Sequence, residues 1–240
     1  MEKLQPKYRR ILLKLSGEAL SKGAEPGDIL NFDVVDRVCE AVKSCAALGV
    51  QVGIVVGAGN IWRGARNGRN LNRTRADHMG MLATMINSLA LQDAFLHMGV
   101  EARVMSPVPM TTFAETFVRD EAVRHLEAGR VVIFGCGSGC PYFSTDTPAV
   151  LRAAEIGADM ALLAKSIDGV YTADPKKDPA AKRLDEITYE EIVEKKLGVI
   201  DMTAACFAMD NRIPLLLFGL DDPHNIVRAV MGESIGTVVK

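Results

Sequence analysis

Short apolar runs alternate with segments of helical periodicity along almost the whole chain. The runs are rich in Val, Ile and Leu and are bounded by glycine or proline, which is typical of buried strands. The predicted strands are Arg9 to Leu15, Val50 to Val56, Ala102 to Met105, Val131 to Phe134, Met160 to Ala164, Leu215 to Phe218 and Gly236 to Val239. The predicted helices are Asp33 to Gly49, Asp77 to Gly99, Val118 to Ala128, Pro148 to Gly157, Tyr189 to Lys196, Met202 to Arg212 and one that begins at Pro223. Strands separated by helices form right-handed βαβ units. We therefore predict an α/β fold, a three-layer α/β/α sandwich with a mainly parallel central sheet.

Length and charge restrict the class of protein. A chain of 240 residues can bury the core of one large α/β domain. We predict a single domain, 1–240, with a soft boundary near Ala158 that separates lobes 1–157 and 158–240. The 28 Lys and Arg residues nearly balance the 30 Asp and Glu residues. The chain therefore has no overall electrostatic attraction for nucleic acid or for an anionic membrane, and neither is an expected partner.

Targeting and cysteine patterns point to the cytoplasm. No apolar run approaches the roughly 18 residues of a membrane span, and the N-terminus lacks the apolar core of a signal peptide. The five cysteines are an odd number and include no CxxC pair, which argues against a disulfide framework and against a zinc site. We expect a cytoplasmic protein without a metal site built from its side chains.

The stretch from Val131 to Asp146, VVIFGCGSGCPYFSTD, predicts a buried strand, a glycine-rich loop and the start of a helix. Glycines let the backbone approach a ligand closely and turn its N–H groups outward, which suits phosphate. A tight turn without a ligand is the alternative. Asp146 is the acid nearest this loop, and it is either a helix-capping residue or the carboxylate that organises a group transfer.

Four segments place glycine or acidic residues directly after predicted strands: 14–18, 57–60, 135–146 and 168–174. The carboxyl ends of parallel strands lie at one edge of the sheet, so we expect these segments to converge there. Lys14 interrupts an apolar strand, and its ammonium group must reach either an anion or solvent. The chain contains no GxxxxGK[ST] motif, so any phosphate site must be built differently.

The turn Gly57-Ala58-Gly59 resembles the start of a dinucleotide-binding motif only superficially. Its sixth position is Trp62, where close helix packing needs glycine or alanine, and this disfavours an oxidoreductase. Arg63 follows the turn and can contact an anion. The polar stretch 63–75 predicts an exposed loop. Asp77 is suited either to sugar hydroxyls or to the start of a helix.

Taken together, KLSGE at 14–18, GAGNIWRG at 57–64, DHMGMLAT at 77–84, SGCPYFSTD at 138–146 and DGVYTADP at 168–175 closely resemble the bacterial-type uridylate kinases of the amino acid kinase superfamily. The resemblance spans essentially the whole chain. It implies transfer of the γ-phosphoryl group of ATP to UMP, giving UDP and ADP, with Mg²⁺. It also implies a homohexamer, activation by GTP and inhibition by UTP.

The resemblance assigns roles to individual residues at the matched positions. It implies a catalytic set of Lys14, Arg63 and Asp146. It implies an ATP-binding set of Lys14, Leu15, Ser16, Gly17, Gly59, Arg63, Lys165, Tyr171 and Asp174. It implies a UMP-binding set of Ala58, Asp77, Ser138, Gly139, Cys140, Pro141, Tyr142, Phe143, Ser144 and Thr145.

Three residues depart from the family pattern. Ala58 replaces a glycine and is compatible with the turn only at a negative φ. Cys140 stands where asparagine is common, and Lys165 stands where some members carry threonine. Two alternatives to a uridylate kinase remain open: a related kinase that phosphorylates a carboxylate or carbamate, and a non-catalytic nucleotide-binding or storage protein.

Overall fold

The computed structural model describes residues 5–63, 70–173, 178 and 180–240. Its strands are β1 Arg10–Leu15, β2 Gln51–Val56, β3 Ala102–Ser106, β4 Glu115–Thr116, β5 Val131–Phe134, β6 Met160–Lys165, β7 Glu186–Ile187, β8 Leu215–Gly219 and β9 Gly236–Val239. Its helices are α1 Gly17–Leu20, α2 Phe32–Ala47, α3 Arg73–His97, α4 Arg119–Glu127, α5 Asp146–Ile156, α6 Tyr189–Glu194, α7 Met202–Asp210 and α8 Asn225–Val230.

The strands within these ranges form one sheet in the order β4-β3-β5-β2-β1-β6-β8-β9-β7. Neighbouring strands run parallel except at the antiparallel pair β8–β9. The prediction of an α/β fold with a mainly parallel sheet is confirmed. β1 pairs with β6 across the predicted lobe boundary, so one sheet runs through both halves. The division into lobes stays a prediction.

Apolar side chains on the two faces of the sheet form two cores. In β1, Ile11, Leu13 and Leu15 pack on one face, which α2, α3 and α8 cover. Leu12 points to the other face, which α4, α5, α6 and α7 cover. This alternation is the period of two expected of a strand. Lys14 lies at the same parity as Leu12 and therefore faces the second core, on the side of α5.

The observed boundaries differ from the prediction in a few places. Helix α3 begins at Arg73 and not at Asp77, because Asn72 caps it by accepting hydrogen bonds from the N–H groups of Thr74 and Arg75. The predicted loop 63–75 therefore extends too far, and its residues 64–69 lie outside the described part of the chain. The two-residue strands β4 and β7 and the four-residue helix α1 were not predicted, since so few residues carry no periodicity. None of the described helices is both long and apolar enough to cross a membrane.

Candidate active site

A cleft of about 470 Å³ opens at the carboxyl ends of β1, β2 and β5. This volume lies in the range of small-molecule sites, which is roughly 300–1,000 Å³. Three of the four predicted segments line it. The predicted residues that line it are Lys14, Ser16, Gly17, Ala58, Gly59, Arg63, Asp77, Ser138, Cys140, Tyr142, Phe143, Ser144, Thr145 and Asp146. Convergence of these loops at one sheet edge is therefore confirmed for the first three segments.

Lys14 and Asp146 form a buried ion pair at this edge. The Lys14 ammonium nitrogen lies 2.9 Å from Oδ1 of Asp146, and each residue is 8% exposed. Lys14 reaches the pair because its strand position faces α5, and Asp146 reaches it as the first residue of α5. The positive end of the helix dipole favours a carboxylate, or a phosphate, at this place. Lys14 thus does not extend to solvent.

Lys165 completes a row of three charges. Its ammonium nitrogen lies 2.8 Å from Oδ2 of Asp146, and it also donates to the Val199 carbonyl oxygen. Burial raises the pKa of Asp146, but Lys14 and Lys165 outweigh that effect and hold the pKa below its usual range. Burial and the charge of Lys14 lower the pKa of Lys165, against the opposing effect of Asp146. One carboxylate is therefore shared by two ammonium groups, and only Lys14 of the two lines the cleft.

The glycine loops after β1 and β2 pack against each other without room for side chains. A Cβ atom on Gly17 would lie 2.2 Å from Oδ1 of Asn60 and 2.6 Å from the Gly57 carbonyl oxygen. The Gly57 N–H donates to the Leu15 carbonyl oxygen at 2.9 Å. Ala58 is not among the described non-glycine residues with positive φ, so the condition for alanine at that position is met. Backbone groups of both loops are thus exposed to the cleft at close range.

Arg63 lines the cleft in the segment that follows β2, and it pairs with an acid. Its guanidinium nitrogen Nη2 is 2.5 Å from Oε1 of Glu18, and both side chains are more than one-third exposed. An ion pair in contact with water contributes little to stability. The guanidinium group of Arg63 also lines the cleft, where it is a candidate contact for an anionic ligand.

Asp77 holds the glycine-rich loop that follows β5. Its Oδ2 accepts hydrogen bonds of 2.8 Å from the Tyr142 N–H and from Nε of Arg73. Tyr142 has a φ of 74°, and the Arg73 guanidinium lies 5.2 Å from the centre of its ring. Asp77 lies in the second turn of α3 and so does not act as an N-terminal helix acid. Its carboxylate lines the cleft and fixes the loop that faces it.

Five of the predicted residues that the structure describes do not line the cleft. The Leu15 side chain is fully buried in the first core, so only its backbone could reach a nucleotide. Lys165 reaches Asp146 instead, and Tyr171 donates its hydroxyl to Asp168 at 2.9 Å. Gly139 and Pro141 lie in the loop but away from the cleft surface. Asp174 lies outside the described residues.

Sequence reasoning missed two polar residues that support the site. Asp201 caps α7 and accepts hydrogen bonds from the hydroxyls of Ser144 and Thr147, on either side of Asp146. Thr84 of α3 lines the cleft and accepts a 2.8 Å hydrogen bond from the Cys136 N–H. Asp directly before a helical pattern is a typical N-cap, so the position of Asp201 at the start of the Met202 helix could have been predicted. Thr84 gave no such indication, since a polar residue within a helix is usually on its solvated face.

Lys14 beside the glycine loops, at the N-terminus of α5, is an arrangement that suits a phosphate group. The amino acid kinase family matches residues 9–219. The chain therefore belongs to the amino acid kinase family.

Similar solved structures show to which group of the family the chain belongs. The UMP kinase of Bacillus anthracis is 38% identical, with a TM-score of 0.92 over 97% of this chain and 96% of that one. The UMP kinase of Ureaplasma parvum is 35% identical, with a TM-score of 0.91 over 98% of this chain and 99% of that one. The uridylate kinase of Archaeoglobus fulgidus is 29% identical, with a TM-score of 0.75 over 96% and 99%. Within its family, the chain belongs with the UMP kinases.

Proposed function

We propose that this protein transfers the γ-phosphoryl group of ATP to UMP, giving UDP and ADP. The observation that carries the proposal is the buried row Lys14–Asp146–Lys165, placed between two groups of loops in one cleft. Ser16, Gly17 and Arg63 line it in the loops after β1 and β2, here called the ATP end, and Asp77 lines it beside the loop after β5, here called the acceptor end. Two ends that meet at one lysine suit a reaction between two bound substrates.

Phosphoryl transfer needs mainly alignment of the two substrates and neutralisation of the negative charge that moves. In this proposal Lys14 binds the oxygens of the transferred group, and the N–H groups of the loop at Gly17 and Gly59 face the remaining ATP phosphates. Arg63 leaves Glu18 to bind a phosphate. Asp146 keeps the ammonium groups of Lys14 and Lys165 in place and does not itself need to take up a proton.

The acceptor would occupy the end of the cleft at Asp77. A carboxylate can accept hydrogen bonds from ribose hydroxyls, and the exposed rings of Tyr142 and Phe143 offer apolar surface to a base. The Cys140 thiol is exposed and lines the cleft, so it would face the nucleotide as a weak hydrogen-bonding group. We propose that Tyr171 and Asp174 contact the nucleoside part of ATP, as the family resemblance implies.

Mg²⁺ fits this site as a companion of ATP. Oδ1 of Asp146 is buried, pairs with Lys14 by charge and accepts no well-aligned hydrogen bond. It therefore has free lone pairs for a hard cation, whereas the described residues include no cluster of three metal-binding side chains. Asp146 would hold the ion together with nucleotide phosphates and water, as is usual for Mg²⁺. The ion would supply positive charge at the phosphates.

We further propose a cytoplasmic homohexamer that GTP activates and UTP inhibits. Helix α3 supports self-association, because its exposed apolar residues recur on one face: Met79, Leu82, Ile86, Leu89 and Leu96. UTP carries the base and ribose of UMP, so binding at the Asp77 end is the simplest route to inhibition. Multi-angle light scattering of the wild type and of Leu82→Glu tests the assembly. A monomeric wild type would contradict it.

The acceptor is tested by ADP release in a coupled assay with ATP and, in turn, UMP, CMP, acetylglutamate, aspartate and glutamate. We expect turnover with UMP to exceed that with every other acceptor. Turnover with an amino acid instead would favour the carboxylate-kinase alternative, and ATP binding without ADP release would favour a storage protein. Adding GTP should raise the rate with UMP, and adding UTP should lower it in competition with UMP.

Asp77→Ala and Asp93→Ala provide a matched pair for this assay. Both acids lie on α3, but Asp93 is exposed and pairs only with His97 in the described structure. Asp77→Ala removes the acceptor of the Tyr142 N–H and should raise KM for UMP about tenfold or more, in line with loss of a charged hydrogen-bond partner. Asp93→Ala should leave KM for UMP unchanged.

A further inference from the structure

Two asparagine side chains form a closed amide pair behind the ATP end of the cleft. Nδ2 of Asn87 donates to Oδ1 of Asn60 at 2.9 Å, and Nδ2 of Asn60 donates to Oδ1 of Asn87 at 3.1 Å. The second N–H of Asn87 donates to the Gly57 carbonyl oxygen at 2.7 Å, and that of Asn60 donates to the Ile29 carbonyl oxygen at 2.6 Å. Every amide N–H of the pair therefore has a partner.

The pair connects a rigid helix to the loops that face the ATP phosphates. Asn87 is fully buried in the middle of α3. The Gly57 carbonyl oxygen that it binds, and Oδ1 of Asn60, are the two atoms nearest to a Cβ built on Gly17. The contact thus lies where the loop after β1 meets the loop after β2. A shift of Asn87 would displace both loops together.

We propose that Asn87, through Asn60, is a positioning residue for phosphoryl transfer: it fixes the loop 57–60 against Gly17. The inference rests on the proposed function, in which these loops bind the ATP phosphates. Asn87 does not line the cleft and touches no substrate in this proposal. It acts by holding the Gly57 carbonyl group away from the phosphates, so that the loop N–H groups face them.

Thr84, one turn earlier on the same helix, supplies a contrast. Its hydroxyl holds the Cys136 N–H in the loop of the acceptor end. Asn87 and Thr84 are thus two contacts from one helix to two different loops, the loop after β2 and the loop after β5. A general loss of helix packing would affect both loops equally, whereas loss of the Asn87 contact should affect ATP, which this proposal places at Gly17 and Gly59, more than UMP.

The test compares Asn87→Asp with Ser88→Ala. Ser88 is equally buried, and its hydroxyl donates to the Thr84 carbonyl oxygen within the helix. We expect Asn87→Asp to lower kcat/KM for ATP roughly 10- to 100-fold at pH 8, because small displacements of positioning groups cost this much. KM for UMP should change less than kcat/KM for ATP, since only part of the UMP site lies in this loop. Ser88→Ala should match the wild type in both.

The pH dependence of Asn87→Asp separates positioning from damage to the fold. Burial favours the neutral form of the introduced carboxyl, and in that form its O–H can donate to the Gly57 carbonyl oxygen. The ATP defect should therefore shrink as the pH falls from 8 to 6, relative to wild type at each pH. A defect that is independent of pH, or that falls equally on UMP, would overturn the inference.

If Asn87→Asp does not fold, Asn60→Ala provides the second variant, since Asn60 is only partly buried and lies in a turn. It should reproduce the selective ATP defect, and the double variant should be no worse than the more impaired single variant. Additive losses would overturn the inference.

Calorimetry with a non-hydrolysable ATP analogue measures ATP binding without any acceptor present, so this result does not depend on which acceptor the enzyme uses. A wild type that binds the analogue but does not phosphorylate UMP would refute the proposed function, and weaker analogue binding by the variants would still support the amide pair.

Discussion

The ammonium nitrogen of Lys165 lies 2.8 Å from Oδ2 of Asp146, while that of Lys14 lies 2.9 Å from Oδ1 of the same carboxylate. One carboxylate thus lies between two ammonium groups on adjacent strands, that of buried Lys14 and that of partly buried Lys165. Removing two charges from water is costly unless they are paired and hydrogen-bonded. The arrangement explains how an ammonium group can be kept at the base of the cleft for use on a phosphate.

Loss of the proton of Lys165 should set the upper pH limit of activity. Its pKa lies below the ordinary value of 10.5, because burial and Lys14 disfavour its charged form. Its proton is therefore lost at a lower pH than that of a free lysine, and the charge balance around Asp146 changes there. We expect kcat to fall on the alkaline side at a pH below 10.5. Lys165→Arg, which keeps its charge throughout this range, should move that limit to higher pH. An identical pH profile for both proteins would contradict this role.

The contribution of Asp146 to the free energy of unfolding should depend on pH. Its folded-state pKa is lowered, so its contribution is fully present above the unfolded value of about 3.9 and is lost as the pH falls through the folded value. Asp146→Asn removes the carboxylate that buried Lys14 and partly buried Lys165 share, and should cost about 3–5 kcal/mol near pH 7. Urea unfolding from pH 7 to pH 3 should show this gap narrowing below about pH 4. A constant gap would argue against the pairing.

A side chain at Gly17 should clash with the loop after β2, and Gly198 offers a control position without such a clash. Gly17→Ala places a methyl group within 2.6 Å of the Gly57 carbonyl oxygen, so one of the two loops must move. We expect lower thermal stability and at least a tenfold lower kcat/KM for ATP, as for other displaced positioning groups. Gly198→Ala meets no atom within 4 Å and should be neutral in both measurements. Equal behaviour of the two variants would remove the case for close loop packing.

The alternation of strands and helices predicted most of the fold, because apolar periodicity is a local property of the chain. The face of the sheet on which the Lys14 side chain lies also follows from this periodicity. It shares the parity of Leu12 and therefore faces the same core as Leu163, its neighbour on β6. Lys165 follows Leu163 by two residues and so faces that side too. The alternation along each strand can be recognised in the sequence, but the sequence does not show that β1 pairs with β6.

Contacts between distant segments could not be predicted. Asn87 and Thr84 look like ordinary polar positions of a helix, and only the packing of α3 over two loops buries them. The 57–60 turn was recognised by its glycines, whereas the amide that holds it lies 27 residues further on. The start of α3 was also missed, because Asn72 caps it within a stretch rich in arginine. Local composition there outweighed the capping signal.

The most direct test of the account is UDP formation by Lys14→Ala under single-turnover conditions with ATP and UMP. Lys22→Ala is the control, since Lys22 is an exposed lysine paired with Asp221 at the surface. If Lys14 neutralises the transferred phosphoryl group, its loss should slow the chemical step by about 10²- to 10³-fold, with the control unchanged. Near-normal UDP formation by a folded Lys14→Ala protein would contradict the central role of the Lys14–Asp146 pair.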